Sequence, residues 1–132
     1  MKKRGILNDE LSYVLAQMGH TDKIVIADAG LPIPETTKRI DLALKRGIPR
    51  FITVLKSVLE ELVVEKIVLA QEIKEKSPHL EEEILSLLDS NIKIEYISHQ
   101  DFKEITKEAK AVVRSGETTP YANIILLSGV NF

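Results

Sequence analysis

An α/β fold is what this sequence predicts: one domain over residues 1–132, a three-layer α/β/α sandwich around a largely parallel or mixed central sheet. Three observations carry this. Short runs rich in branched aliphatics recur at 23–27 (KIVIA), 66–70 (KIVLA), 92–97 (IKIEYI), 111–114 (AVVR) and 124–127 (IILL). Segments of helical periodicity interleave with them, and such alternation implies a sheet with parallel components. Most of the runs lack polar alternation, as strands covered on both faces do.

Each element has a local reason. Asn8 is a suitable N-cap for a helix carrying Leu11, Val14, Leu15 and Met18 on one face, with Gly19 as its stop. A second helix places Ile52, Leu55, Val58, Leu59 and Leu62 together. Ser77-Pro78 opens a third, a cap followed by proline at the first helical position, continuing through Ile84, Leu87 and Leu88. Ser98 opens a fourth, with Asp101 three residues on in a capping-box arrangement and Phe102, Ile105 and Ala109 on its inner face. IKIEYI alternates, as a strand with one wetter face should, and 39–44 can add a further strand. The Glu81-Glu82-Glu83 run reads as the solvated face of a helix.

Composition excludes several classes. A chain of 132 residues with 44% hydrophobic content can build a real core, mostly from Ile, Val and Leu because tryptophan is absent. The net charge of -2 and scattered Lys and Arg argue against a nucleic-acid surface. No apolar run approaches the roughly 20 residues of a membrane span. The Met1-Lys2-Lys3-Arg4 start lacks the apolar stretch of a signal peptide, so a cytoplasmic protein is expected. With no cysteine, thiol chemistry and thiolate metal sites are out.

Imidazole is then the main proton carrier near neutral pH. The three histidines are His20, His79 and His99. His20 lies between a helix and a strand, and it equally fits a helix C-terminal residue meeting the dipole. His99 sits in the capping box and equally fits an exposed first-turn residue; His79 is assigned no role. Ligands of α/β sheets collect beyond the carboxyl ends of strands. Three segments qualify: Asp28-Ala29-Gly30-Leu31-Pro32, Ser98-His99-Gln100-Asp101, and 115–121 (SGETTPY). Asp28 also fits a turn residue, and Tyr121 and Asn123 fit core and turn positions. No Gly-rich phosphate loop, dinucleotide fingerprint, H-E-x-x-H or G-x-S-x-G occurs, and the His and Asp spacing carries no metal signature.

Longer motifs narrow the choice. Gly5-Ile6-Leu7-Asn8, the run 15–22 (LAQMGHTD), the run 26–34 (IADAGLPIP), Arg39-Ile40-Asp41-Leu42, Gln71-Glu72-Ile73-Lys74, Arg114-Ser115-Gly116-Glu117 and 120–126 (PYANIIL) span the chain. Together with Gly129-Val130 and Phe132, they resemble the D-ribose pyranase family, whose wider group includes the fucose mutarotases. Thr21 and Gly30-Leu31-Pro32 look like the ribose branch.

The resemblance implies interconversion of the β-pyranose and β-furanose forms of D-ribose without metal or organic cofactor. It implies that His20 is the proton donor and that Asp28, His99, Tyr121, Ala122 and Asn123 contact the sugar, Ala122 through its backbone or small size. Lys103 is a weaker candidate for the pocket wall. Asp22 or Asp28 could favour the charged form of a histidine. The family also implies a homo-oligomer, a decamer of two pentameric rings, in which C-terminal residues complete a neighbour's pocket. An L-fucose mutarotase and a non-catalytic sugar-binding or transport-accessory protein are the competing readings.

Overall fold

The computed structural model describes residues 1–132. The elements are α1 (Asp9–Gln17), β1 (Lys23–Ala27), β2 (Arg39–Asp41), α2 (Phe51–Leu59), β3 (Val64–Ala70), α3 (Ile73–Lys76), α4 (Pro78–Ser86), β4 (Lys93–Ile97), α5 (His99–Ile105), β5 (Ala111–Arg114) and β6 (Ile124–Ser128). A 3-10 turn, Thr106–Glu108, follows α5.

The six strands form one sheet in the order β2-β5-β1-β6-β3-β4. β6 runs antiparallel to both neighbours, and every other pairing is parallel. The mixed sheet expected from the sequence is therefore present, with β6 as its one reversed strand. Alternate strand residues face opposite ways. Ile24, Ile26, Ile67, Leu69, Val113, Ile124 and Leu126 join the helix residues Leu11, Val14, Phe51, Leu55 and Ile84 in one core. Val25, Val68, Val112 and Ile125 face the other way and pack with Leu31 and with Phe102 of α5. Phe51, fully buried in the larger core, anchors α2. Phe51→Ala should cost about 3–5 kcal/mol, read as a lowered urea midpoint at unchanged slope.

Local signals were mostly realised. Asn8 caps α1 by accepting from the Leu11 N–H at 2.9 Å. α1 stops at Gln17, two residues before Gly19, because Met18 already turns extended. The left-handed residue of that turn is Thr21, at φ 69. α2 is shorter than its periodicity suggests, ending at Leu59. The one-turn α3 carries no periodic signal at four residues. Ser77 does not cap α4; its hydroxyl donates to Pro120 O at 2.7 Å, tying the helix start to the loop before β6.

Candidate active site

The three polar segments meet at the carboxyl ends of the parallel strands. Asp28 follows β1 directly, and Asn123 immediately precedes the antiparallel β6, so the two lie side by side. The Asn123 carboxamide accepts from the Asp28 N–H at 2.9 Å and donates to the Asp28 carboxylate at 3.0 Å. Asn123 is buried, while Asp28 stays half-buried with its other oxygen on the Gly30 N–H at 2.9 Å. This reciprocal pair fixes both side chains and leaves acceptor capacity on the carboxylate.

His99 opens α5 at the end of β4. Its ring meets Tyr121 edge-on, with centroids 5.1 Å apart, and lies nearly parallel to Phe102 at 6.3 Å. Its Nδ1 is buried without a hydrogen-bond partner. The Ser98 hydroxyl accepts from the Asp101 N–H at 3.1 Å, as the capping pattern predicts. The His99 N–H goes instead to the Glu72 carboxylate, at 2.9 and 3.2 Å. Glu72, just beyond β3, thus holds the first residue of α5 against the neighbouring strand end, a pairing that local sequence cannot reveal. Lys103 is half-buried on the same helix and forms no ion pair.

Tyr121 stands at φ 61, a left-handed conformation that is rare for a bulky side chain and stores about 1–3 kcal/mol. The surrounding loop holds it there. Ala122 is fully buried in the larger core, and the Asn123 N–H closes onto Tyr121 O at 2.8 Å. Upstream, the buried Glu117 gathers the loop. One of its oxygens accepts from Arg50 Nε at 2.9 Å and from the Phe51 N–H at 3.3 Å. The other accepts from the Thr118 and Thr119 N–H groups and from the Thr119 hydroxyl, at 3.2, 3.4 and 3.0 Å. Burial pushes the Glu117 carboxyl up. The hydrogen bonds from Arg50, Thr119 and the Phe51 N–H, with the charge of Arg50, outweigh it and leave the group below the ordinary carboxylate range. The same pair raises Arg50. Gly116 lies so close to the cis Ile48–Pro49 peptide that a Cβ there would stand 2.4 Å from Ile48 O. A cavity of about 360 Å³ opens between Asp28-Ala29-Gly30 and 117–120.

His20 does not join this cluster within the chain. It precedes β1 and therefore sits at the amino end of the sheet, whereas Asp28 follows β1. The strand between Lys23 and Asp28 alone spans roughly 17 Å. At that far end His20 is exposed, with Nε2 2.9 Å from the Glu65 carboxylate near the start of β3. Neither Asp22 nor Asp28 bonds it. Asp22 accepts from the Gly19 N–H at 2.9 Å, and Asp28 is engaged with Asn123 and Gly30. Thr21, next to His20, is the other non-glycine residue at positive φ besides Tyr121. Backbone strain is thus stored at both places where chemistry was expected. Exposed Val63, Val130 and Phe132 lie on segments leaving the sheet at this same end. Nowhere do three or more His, Asp or Glu side chains gather so as to hold a metal ion, and no helix is long and apolar enough to cross a membrane.

Comparison with known proteins gives this arrangement a context. The D-ribose pyranase of Geobacillus thermodenitrificans (strain NG80-2) is 61% identical over 132 residues, covering 100% of this chain and 99% of that protein. The D-ribose pyranase of Glaesserella parasuis serovar 5 (strain SH0165) is 55% identical and covered in full. The structure of Bacillus subtilis RbsD complexed with D-ribose shares 53% identity, with a TM-score of 0.96 and full coverage of both chains. The fucose mutarotase of Streptococcus pneumoniae in complex with L-fucose is more distant, at 29% identity and a TM-score of 0.78 over 96% of this chain and 95% of that one. The family model described as the RbsD / FucU transport protein family matches residues 1–131, and the chain belongs to that family.

Proposed function

We propose that this protein is a D-ribose pyranase, an isomerase that interconverts the β-pyranose and β-furanose forms of D-ribose by acid–base ring opening and closure. The observation that carries the reading is the Asp28–Asn123 pair at the carboxyl end of the sheet, with Asn123 two residues along the chain from Tyr121, whose ring meets His99. It occurs in a fold matching a ribose complex from end to end.

The chemistry suits these groups. The anomeric hydroxyl loses a proton while the ring oxygen gains one, the bond between C1 and the ring oxygen breaks, and an open-chain aldehyde forms. Closure through the other hydroxyl reverses these steps and gives the other ring size. No electrons are transferred and no carbon skeleton changes, so neither a redox cofactor nor a phosphate site is needed. Asp28 and Asn123 bond sugar hydroxyls, Tyr121 offers a ring face and a hydroxyl, and His99 either takes the anomeric proton as the second proton carrier or orients the sugar beside it. Ala122 contributes by its small size and by fixing the backbone between its neighbours. Protonated His20 donates to the ring oxygen, and it comes from a neighbouring copy, since its own pocket lies across the sheet.

Assembly is therefore part of the function. The molecule works as a homodecamer of two pentameric rings in the cytoplasm, with the His20 end of one copy set against the Asp28 end of another. Val63, Val130 and Phe132 are exposed at the His20 end and so are available to such a contact.

The test is saturation-transfer NMR with D-ribose and L-fucose at equal protein concentration. Faster pyranose–furanose exchange of ribose, with less effect on fucose, is expected. Faster fucose anomer exchange alone would make it a mutarotase. Ribose binding without faster exchange would make it a transport-accessory protein, a role the family's description keeps in view.

A further inference from the structure

The His20 end of the sheet contains backbone irregularities that the pocket chemistry does not require. β3 carries a register shift between Val64 and Lys66 against β6, so Glu65 is the extra residue of a bulge. Bulges re-aim a side chain out of the regular pleat. On the other side of β6, Thr21 takes its left-handed conformation. The Thr21 N–H donates to Ser128 O at 2.9 Å, and the Ser128 N–H donates to Asp22 O at 2.8 Å. Ser128 is also the β6 residue paired with Val64. The strained turn and the bulge are therefore fastened to the same residue, from opposite sides. Gly129 leaves the space between them open: a Cβ there would stand 3.2 Å from Val63 Cγ1 and 3.4 Å from Glu65 Cβ. Across that space the Glu65 carboxylate lies 2.9 Å from His20 Nε2.

We propose that Glu65 is the positioning residue for His20, holding imidazole Nε2 so that Nδ1 faces outward and delivers the proton to the sugar of the neighbouring copy. This rests on the proton-donor reading of His20 given above. An imidazole on an exposed turn otherwise samples several rotamers, and only one aims a ring nitrogen at a given atom. A carboxylate on a strand accepts the Nε2–H of the charged ring, which fixes the ring's orientation and leaves the Nδ1–H as the proton to be donated. Glu65 itself never touches the substrate.

Three variants test this in the assembled protein, with ribose exchange measured over a range of ribose concentrations. Glu65→Ala should lower kcat by about tenfold to a hundredfold, the effect of a misaimed catalytic group, and leave KM unchanged because the sugar contacts lie elsewhere. Glu65→Gln, which still offers an acceptor oxygen, should retain more activity than Glu65→Ala. Gly129→Ala should reproduce the kcat loss by crowding Val63 and Glu65. His20→Ala is measured beside them. If it loses activity while Glu65→Ala keeps the parent kcat, the positioning role is wrong and the donor role stands. If His20→Ala itself keeps full activity, the donor reading fails. A Glu65→Ala protein that loses activity only in proportion to lost assembly would also overturn the proposal, making Glu65 an interface residue.

Discussion

Replacing His20 with alanine is expected to slow catalysed pyranose–furanose exchange of D-ribose by about 10²- to 10⁴-fold, the usual contribution of a positioned acid or base. Hemiacetal ring opening already proceeds unaided in water, so the barrier left to the protein is modest. A factor of this size corresponds to about 3–5 kcal/mol and accounts for most of what catalysis has to supply. His20 is exposed on a turn, so its loss should leave folding within roughly 0.5 kcal/mol of the parent. Activity and stability should thus separate cleanly. Saturation transfer between the pyranose and furanose signals reads the rate, and urea unfolding reads the stability. Exchange at the parent rate would remove His20 from the mechanism.

The second large effect is expected at Glu117. Its side chain is 4% exposed and gathers two loop N–H groups, the Thr119 hydroxyl, the Arg50 guanidinium and the first N–H of α2. Arg50 supplies no side-chain cap to that helix, so the carboxylate of a distant loop acts as its cap. Glu117→Ala leaves several of these donors unsatisfied and should cost about 3 kcal/mol, with some relief where water can enter. It should also raise KM, because the same loop carries Tyr121 and Asn123. The charge has a pH signature. The folded-state carboxyl is depressed, so its stabilisation is fully present above the unfolded value of about 4.3 and is lost as pH falls through the lower folded value. Urea unfolding from about pH 7 down to pH 3 should therefore show a steeper acid loss in the parent than in Glu117→Gln. Identical slopes would mean that the Arg50 and N–H contacts do not favour the ionised form.

Legibility followed the range of the interactions. The Asn8 and Ser98 caps, the branched-aliphatic strands and the polar loops after β1, β4 and β5 all rest on residues within a few positions of one another. The reversed direction of β6 did not show in IILL, because an apolar run carries no sign of its orientation. Glu72, Glu65 and Glu117 were missed as anchors for the same reason. Each carboxylate serves a partner 27 to 67 residues away, so a place in a longer motif, as for Glu72 and Glu117, or in an apolar run's flank, as for Glu65, does not show what it holds. The end of the sheet that holds His20 was legible in principle: a residue before a strand lies at its amino end, and the polar loops lie after theirs. The consequence, that one chain cannot unite His20 with Asp28, became plain only with the sheet in view.

That separation makes the shared pocket the central claim, and mixing two inactive variants tests it most directly. His20→Ala chains keep the Asp28, His99 and Asn123 side of the pocket, and Asn123→Ala chains keep His20. Each variant is first shown to assemble to the parent size and to be inactive alone. Dissociated together and reassembled at equal amounts, they should regain about a quarter of the parent's ribose exchange, since random pairing of copies leaves about that share of pockets with both halves intact. Mixed assemblies that form at the parent size yet stay as inactive as either variant alone would contradict a pocket built from two copies.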